Sequence, residues 1–393
     1  MRIAVVVSGF PIPSETFILR QIIDLIGCGH EVDVFADTLI RENVATLGVG
    51  ADVIVRVKPS WFLPRPFSPR KSIRKAARGL YRRLSHLQSF GYHRAFGLIM
   101  HERAYDIIHA HFGPNGQRAV RARQFRKLKG KIVTTFHGYD VNLLPRELGT
   151  DLYRDLFLHG DVFTVGSQFM RKQIEQLGAP VDRVIEIPMG VPINEYQPGT
   201  KVRSNVLNII TIARLVEVKG IRYLLQAISL ATNAGIKVRC VIAGDGPLRS
   251  TLMAYADTLG ITELIEFTGA VSACRTRELF KEADVFVLPS IVTGNGEQES
   301  QGLAVAEAQA CGLPVITTET GGLPESIRPN CSGVLVAPAN AHQLATAIQH
   351  MASNRNQAEN MGRSGRRYVE ERFSFTQQQN KFSELYKWLL RDN

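Results

Sequence analysis

Short apolar runs alternate along this chain with longer stretches whose apolar residues recur at helical spacing. The first run, Ile3 to Ser8, leads through a loop to an amphipathic pattern from about Glu15 to Gly29, and a second run, Glu31 to Phe35, follows at once. Ile107 to Ala110, Ile132 to Phe136 and Val162 to Gly166 repeat the arrangement, each with a helical stretch behind it. Strand alternating with helix at this spacing predicts an α/β fold with a doubly wound, mostly parallel sheet. The Pro-, Gly- and polar-rich stretch Pro188 to Asn205 breaks the pattern. It restarts with Leu207 to Ala213, Val238 to Ala243, Ile265 to Gly269, Val285 to Pro289 and Val315 to Thr317. The expected organisation is a first domain over 1–190, a linker over 191–205, a second domain over 206–370, and a C-terminal helix over 371–393 that packs back on the first domain. Open parallel sheets bind ligands at the carboxyl ends of their strands, so two such domains are expected to aim their loops into one cleft.

Composition narrows the class without changing the fold. At 393 residues, with 45% hydrophobic and 21% charged residues, each half can bury its own core. The five cysteines (Cys28, Cys240, Cys274, Cys311 and Cys331) form no Cys-x-x-Cys pair, which argues for a reducing compartment and against zinc or a disulfide framework. The first apolar run stops too soon for a signal peptide, and no stretch has bilayer-spanning length, so a cytoplasmic location is expected. The net charge of +11 is lopsided: residues 1–190 hold 27 Lys and Arg against 17 Asp and Glu, an excess of +10. No acidic residue occurs between Asp52 and Glu102, or between Asp106 and Asp140. Trp61 to His101, with Arg70, Lys71, Arg74 and Lys75, reads as a Pro-led basic helix. Such a face attracts anionic surfaces, including a membrane. The apolar and aromatic residues Trp61, Phe62, Leu63 and Phe67 beside it offer a toe-hold.

Candidate chemistry gathers in the second half. In Glu299-Ser-Gln-Gly-Leu-Ala-Val-Ala-Glu307 a loop gives way to a helix near Gly302, where the N–H groups of Gly302 and Leu303 suit a phosphate. Carboxylates flanking such a helix start suit sugar and ribose hydroxyls. Arg214 and Lys219 follow the strand Leu207 to Ala213, and two cations at a strand's carboxyl end can neutralise a diphosphate leaving group. Gly244-Asp-Gly246-Pro is a turn after the next strand, a form that simple turn formation also produces.

Together, Ala-Arg214-Leu-x-x-x-Lys219-Gly, Gly244-Asp-Gly-Pro and the Glu299 to Glu307 segment ending in Gly312-x-Pro-Val resemble the retaining glycosyltransferase family 4, which has the GT-B fold of two Rossmann-like domains facing across a cleft. The resemblance implies that Arg214 and Lys219 contact the donor diphosphate, Glu307 the ribose, and Glu299 the transferred sugar. The family commonly has Glu-Gly-Phe-Gly-Leu where this chain has Glu299-Ser-Gln-Gly-Leu, a departure that bears on which sugar is used.

The first half carries matching marks. Gly9-Phe-Pro-Ile-Pro-Ser14-Glu15-Thr16-Phe-Ile looks like the N-terminal signature of bacterial exopolysaccharide transferases in this family, colanic acid types included. The resemblance implies Gly9 near the donor phosphates and Ser14, Glu15 and Thr16 at the acceptor side, although Ser14 also suits a plain N-cap. Thr134-Thr-Phe-His137-Gly-Tyr-Asp140 resembles the family segment whose histidine reaches the donor sugar. His109 and His111 share one face of a strand with no carboxylate or cysteine beside them, which favours structure or acceptor contacts over a metal.

The expected activity is metal-independent, retaining transfer of a hexose from a UDP- or GDP-sugar to a hydroxyl of a glycan or lipid-linked saccharide, with no cofactor. No Asp-x-Asp is present to carry a divalent ion. A GT-B sugar-nucleotide epimerase would share the nucleotide half but need no acceptor. Nucleic acid is disfavoured as a partner because the basic clusters lack interleaved aromatics. A nicotinamide oxidoreductase is disfavoured because no Gly-x-Gly-x-x-Gly follows the first strand.

Overall fold

A computed structural model describes residues 1–12, 15–54, 56–59, 104–126, 129–199 and 204–391. The expected basic helix over Trp61 to His101, Ser14, and part of the expected linker lie outside them. The chain divides into two compact units. The first holds Met1–Val165, Gln173–Ile185 and Phe382–Asn393; the second holds Gly166–Lys172 and Glu186–Lys381.

The first unit contains a sheet of seven strands in the order β3-β2-β1-β4-β5-β6-β7. These are β1 (Arg2–Phe10), β2 (Glu31–Leu39), β3 (Val57–Pro59), β4 (Ile107–His111), β5 (Lys131–Thr135), β6 (Val162–Val165) and β7 (Val184–Glu186). The last of these spans the residues at which the chain passes from one unit to the other. The pairs joining β3 through β6 run parallel. Helix α1 (Thr16–Gly27) follows β1, and α2 (Gly113–Arg126) follows β4. The apolar run at the N-terminus reaches Phe10, two residues beyond its sequence-based end, because β2 continues to Leu39 and pairs with it there.

The second unit repeats the order with six parallel strands, β10-β9-β8-β11-β12-β13. They are β8 (Leu207–Ile212), β9 (Val238–Ala243), β10 (Ile265–Gly269), β11 (Val285–Leu288), β12 (Val315–Thr318) and β13 (Gly333–Val336). In each sheet the order reverses beside the first strand of the unit, at β1/β4 and at β8/β11. Such a reversal is where open α/β sheets bind ligands. Helix α3 (Ile221–Asn233) follows β8, α4 (Leu303–Ala310) precedes β12, and α5 (Arg355–Arg372) and α6 (Phe375–Arg391) close the chain.

Successive strand residues point to opposite faces, and both faces of the second sheet are buried. Ile209, Val285, Val287 and Ile316 join Leu224, Leu225 and Ile228 of α3 in one core cluster. Their neighbours Ile210, Phe286, Leu288 and Val315 join Val305 of α4 and Val369 of α5 in the other. This explains why these strands read as unbroken apolar runs rather than alternations. Removing one of these large side chains, as in Phe286→Ala, costs about 3–5 kcal/mol.

The last helix passes from the second unit to the first at Phe382. Its Tyr386 is fully buried and hydrogen-bonds His109 on β4 at 2.7 Å. Among the described residues no helix is long and apolar enough to cross a membrane.

Candidate functional site

In the second unit, β8 releases the chain at Ile212 and Arg214 stands exposed just beyond it. A single 3-10 turn, Glu217–Lys219, then leads to α3. This turn is pinned to the end of β11: Ile291 N–H donates to the Val218 carbonyl at 2.8 Å. Lys219 Nζ donates to Glu299 Oε2 at 2.5 Å, and Ser290 Oγ, just past β11, lies 3.4 Å from the same oxygen. Both members of the ion pair are mostly buried, with side-chain exposures of 17% and 15%. A pair so enclosed is costly to break from one side, because the remaining charge is left without a counter-charge. Lys219 and Glu299 are thus joined at the point where this sheet reverses.

Gly302 caps α4 at φ 74°, the left-handed region that side chains avoid. A Cβ there would come within 2.4 Å of Leu323 Cδ2, so the helix start can sit against Leu323 only with glycine. Val305 N–H is met by the Gly302 carbonyl at 2.9 Å, and the N–H groups before it, from half-buried Leu303, stand at the positive dipole end of the helix. One turn further on, Glu307 Oε1 accepts a hydrogen bond from the Tyr196 hydroxyl at 3.0 Å.

The turn holding Gly244 and Gly246 has a supporting role. A Cβ on Gly244 would lie 1.9 Å from the Ala213 carbonyl oxygen, and one on Gly246 would lie 2.5 Å from that of Leu215. Leu215 N–H donates to the Asp245 carbonyl at 2.9 Å, and Leu248 N–H to the Leu215 carbonyl at 3.1 Å. These glycines let one loop lie directly on the backbone that flanks Arg214.

In the first unit the chemistry is neutral. His109 and His111 lie on the same face of β4 with ring centroids 4.5 Å apart, and His111 stacks on His137, which follows β5, at 5.3 Å. His109 is fully partnered: Nδ1 meets the Tyr386 hydroxyl at 2.7 Å and Nε2 meets Thr135 Oγ1 at 2.6 Å. Its role is to join β4, β5 and α6. His111 Nδ1 and His137 Nε2 are 3.1 Å apart and share one proton. Their outer nitrogens, His111 Nε2 and His137 Nδ1, are buried with no partner.

Burial pushes all three imidazoles below their ordinary range, His111 to about 3, and the neighbouring histidines add to this at His109 and His137. Asp140 sets the backbone beneath His137. Its Oδ1 accepts from the His137 and Gly138 N–H groups, each at 3.0 Å, and its Oδ2 from Gly113 at 2.9 Å. Burial outweighs these bonds and raises its carboxyl to about 6.

Phe17 on α1 lies 4.7 Å from the His137 ring, and half-buried Glu15 and Thr16 precede it at the helix start. Burial raises Glu15 to about 7. Gly9 is half-buried near the end of β1.

Four groups at these sites were given no role by sequence reasoning: Asp140, Ser290, Tyr196 and Gln301. Only Asp140 carries a readable signal, an acid three residues past a histidine with glycine between them. The other three depend on contacts remote in sequence or on a hydroxyl that could face anywhere. Among the described residues, no group of three or more His, Cys, Asp or Glu could hold a metal ion.

Two Rossmann-like units of the same strand order, the second bearing a cation–carboxylate pair and a glycine-capped helix at its switch point, define a glycosyltransferase of the GT-B fold. Residues 14–195 match the family described as Glycosyltransferase Family 4, and residues 193–368 match Glycosyl transferases group 1. The chain belongs to the glycosyltransferases that join these two domains.

Among its relatives is WcaL of Escherichia coli K12, whose name ascribes to it a glycosyltransferase role in colanic acid biosynthesis. It is 29% identical over 88% of this chain and 90% of its own. The amylovoran biosynthesis glycosyltransferase AmsK of Erwinia amylovora is 27% identical over 90% of this chain and 91% of its own. Among solved structures, a glycosyltransferase of Rickettsia africae superimposes with a TM-score of 0.77 at 19% identity, covering 100% of this chain and 99% of that one. Anabaena HepE in complex with UDP gives 0.76 at 17% identity, covering 98% and 99%. At such identities the structures establish the fold alone.

Proposed function

We propose that the chain transfers a hexose from a UDP- or GDP-sugar to a hydroxyl of a glycan or lipid-linked saccharide, with retention at the anomeric carbon, in the synthesis of a cell-surface polysaccharide. The observation that carries this reading is the Lys219–Glu299 pair at the β8/β11 switch point, beside the glycine-capped start of α4. Arg214, Lys219 and the N–H groups at Gly302 and Leu303 take the diphosphate, with Gly9 close to it. Glu307 takes the ribose hydroxyls. Glu299 and His137 hold the transferred sugar, and Glu15, Thr16 and His111 lie toward the acceptor.

As the bond from C1 to the diphosphate oxygen breaks, negative charge grows on that oxygen, and the cations and helix start stabilise it. The acceptor hydroxyl bonds C1 from the same face, and its proton passes to the departing phosphate oxygen. No protein base and no divalent metal are required. Positioning by Glu299 and His137 supplies the remainder of the acceleration.

The relatives support the substrate classes. HepE is seen with UDP and glucose, and a Mycobacterium tuberculosis relative is a GDP-mannose-dependent phosphatidylinositol monomannoside mannosyltransferase. The excess of +10 in residues 1–190 supports reversible docking on an anionic membrane, where each well-placed Lys or Arg contributes about 1 kcal/mol.

A panel of UDP- and GDP-hexoses, incubated with and without saccharide acceptors and followed by mass spectrometry, tests the reading. One donor should be consumed with formation of a glycosylated acceptor that keeps the donor's anomeric configuration. Conversion of the donor sugar to an epimer without acceptor would instead make the chain an epimerase.

A further inference from the structure

The segment from Met189 to Tyr196 lies along α4 and touches it at both ends. At the helix start, Gln301 is buried with 3% exposure, and both polar atoms of its amide meet one residue. Its Oε1 accepts the Met189 N–H at 2.8 Å, and its Nε2 donates to the Met189 carbonyl at 3.0 Å. Ser300 is tied as well, its carbonyl accepting from Ser167 Oγ at 2.7 Å. Further along, the Tyr196 hydroxyl donates to Glu307 at 3.0 Å.

Between these two points the segment is itself fastened. Gly190 N–H donates to Gln378 Oε1 at 2.9 Å, and Val191 N–H to the Phe373 carbonyl at 2.7 Å. Arg366 Nη1 reaches the carbonyls of Ile193, Tyr196 and Ala310, the last at the end of α4. The Tyr196 ring is buried and packs near Phe280, so its hydroxyl has little freedom.

Neither contact is one that packing alone would demand. Phenylalanine would fill the space of Tyr196, and an apolar side chain would fill that of Gln301. What the polar atoms add is direction: one hydroxyl aims the Glu307 carboxylate, and one amide fixes the main chain between Glu299 and Gly302. A carboxylate oriented by the Tyr196 hydroxyl is held in a set plane, which is what a pair of ribose hydroxyls requires. The Gln301 amide also accounts for the departure from the family's phenylalanine without involving the sugar, since both its polar atoms are engaged by Met189.

We propose that Met189–Tyr196 is a positioning strap for the donor site. Tyr196 orients Glu307 toward the ribose, and Gln301 holds the loop that carries Glu299. The inference rests on the donor roles proposed above for Glu307 and Glu299, and the test separates the two.

Affinities of UDP and GDP are measured by calorimetry. The tighter of the two is then compared with its 2′-deoxy form in wild type, Glu307→Gln, Tyr196→Phe and the double variant. Glu307→Gln should reduce the preference for the 2′-hydroxyl by about tenfold, and Tyr196→Phe by about three- to tenfold. The double variant should lose no more than Glu307→Gln alone, since the hydroxyl acts through the carboxylate. If Glu307→Gln keeps the preference, the ribose reading falls. If Glu307→Gln loses it and Tyr196→Phe keeps it, the strap falls while the ribose reading stands.

The other end is tested with Gln301→Glu. When protonated, its carboxyl has one donor and one acceptor and can replace the amide. When ionised, it repels the Met189 carbonyl. Turnover of the variant should therefore recover toward wild type as pH falls, with nucleoside diphosphate affinity changed less than twofold across the same range. A variant whose turnover tracks that of wild type at every pH, or whose nucleotide affinity falls in step with its turnover, would overturn the role of Gln301.

Discussion

The two sheets share a strand order and differ in what they hold at the switch point. In the first unit the ends of β4 and β5 carry imidazoles that burial keeps neutral, among Phe17 and Phe112. In the second, the corresponding ends of β8 and β11 carry a lysine, a carboxylate and a helix start, with an arginine exposed beside them. A neutral, hydrogen-bonding surface suits an uncharged polyol. A cationic one suits a diphosphate, whose charge must be met when the bond to it breaks. One architecture thus supports two chemistries because the strand ends, not the sheets, choose the side chains.

With the donor site proposed for the second unit, that unit should dominate the chemical step. Lys219→Ala should therefore have the largest effect, lowering kcat/KM by about 10²- to 10³-fold, the usual result of removing one group that stabilises developing charge. Glu299 would also lose its counter-charge. Steady-state transfer assays with Lys219→Ala and Arg214→Ala measure this, and near-wild-type rates in both would remove the cationic site from the mechanism.

His137→Ala should cost less, about 10- to 100-fold, because a neutral ring contributes a hydrogen bond and orientation rather than charge. Loss greater than that of Lys219→Ala would reverse the ranking of the two units.

The neutral character of the first unit also sets its response to acid. Histidines whose folded pKa lies below the unfolded value of 6.5 contribute stability that is fully present above 6.5 and is lost as pH falls through it. Glu15 and Asp140 act in the opposite sense. Their folded values of about 7 and about 6 exceed the unfolded 4.5 and 3.8, so the folded state binds the extra proton and acid favours it in that interval. His30, lowered chiefly by burial, adds a fourth loss, and four losses against two gains leave a net weakening between about pH 6.5 and 5. His111→Asn should flatten this fall by up to about 1.4 kcal/mol per pH unit, and Glu15→Gln should steepen it. Unfolding midpoints in urea at several pH values decide the signs.

Much of this contrast was legible in the sequence. The runs at Leu207, Val238 and Val285 read as strands because both faces are buried, and Lys219, Glu299 and Gly302 could be placed by their distance from those runs. The strand Gly333–Val336 was missed, being four residues long and preceded by Pro329-Asn-Cys-Ser-Gly, which reads as loop. The histidines were visible but their division of labour was not. His109 is structural because Tyr386, 277 positions away, meets it. The Lys219–Glu299 pair spans 80 positions, and sequence spacing offers no clue that the two charges meet.

The smallest expected effect is of chelation, and it bears on the second unit alone. A divalent ion would supply the same counter-charge proposed for Arg214, Lys219 and the start of α4. If it were needed as well, those cations would be redundant and Lys219→Ala would be mild. The sequence has no Asp-x-Asp, and Glu299, a candidate ligand, is already paired with Lys219 at 2.5 Å. Activity should therefore change by less than about twofold when EDTA is added in excess, and Mg²⁺ or Mn²⁺ should not raise it further. The same assay on Lys219→Ala sharpens the point. If a metal restores turnover there but not in wild type, ion and lysine are interchangeable sources of one charge. If EDTA abolishes turnover in wild type and Mg²⁺ restores it, the leaving group is met by a metal, and the electrostatic contrast between the two units has been drawn from the wrong charges.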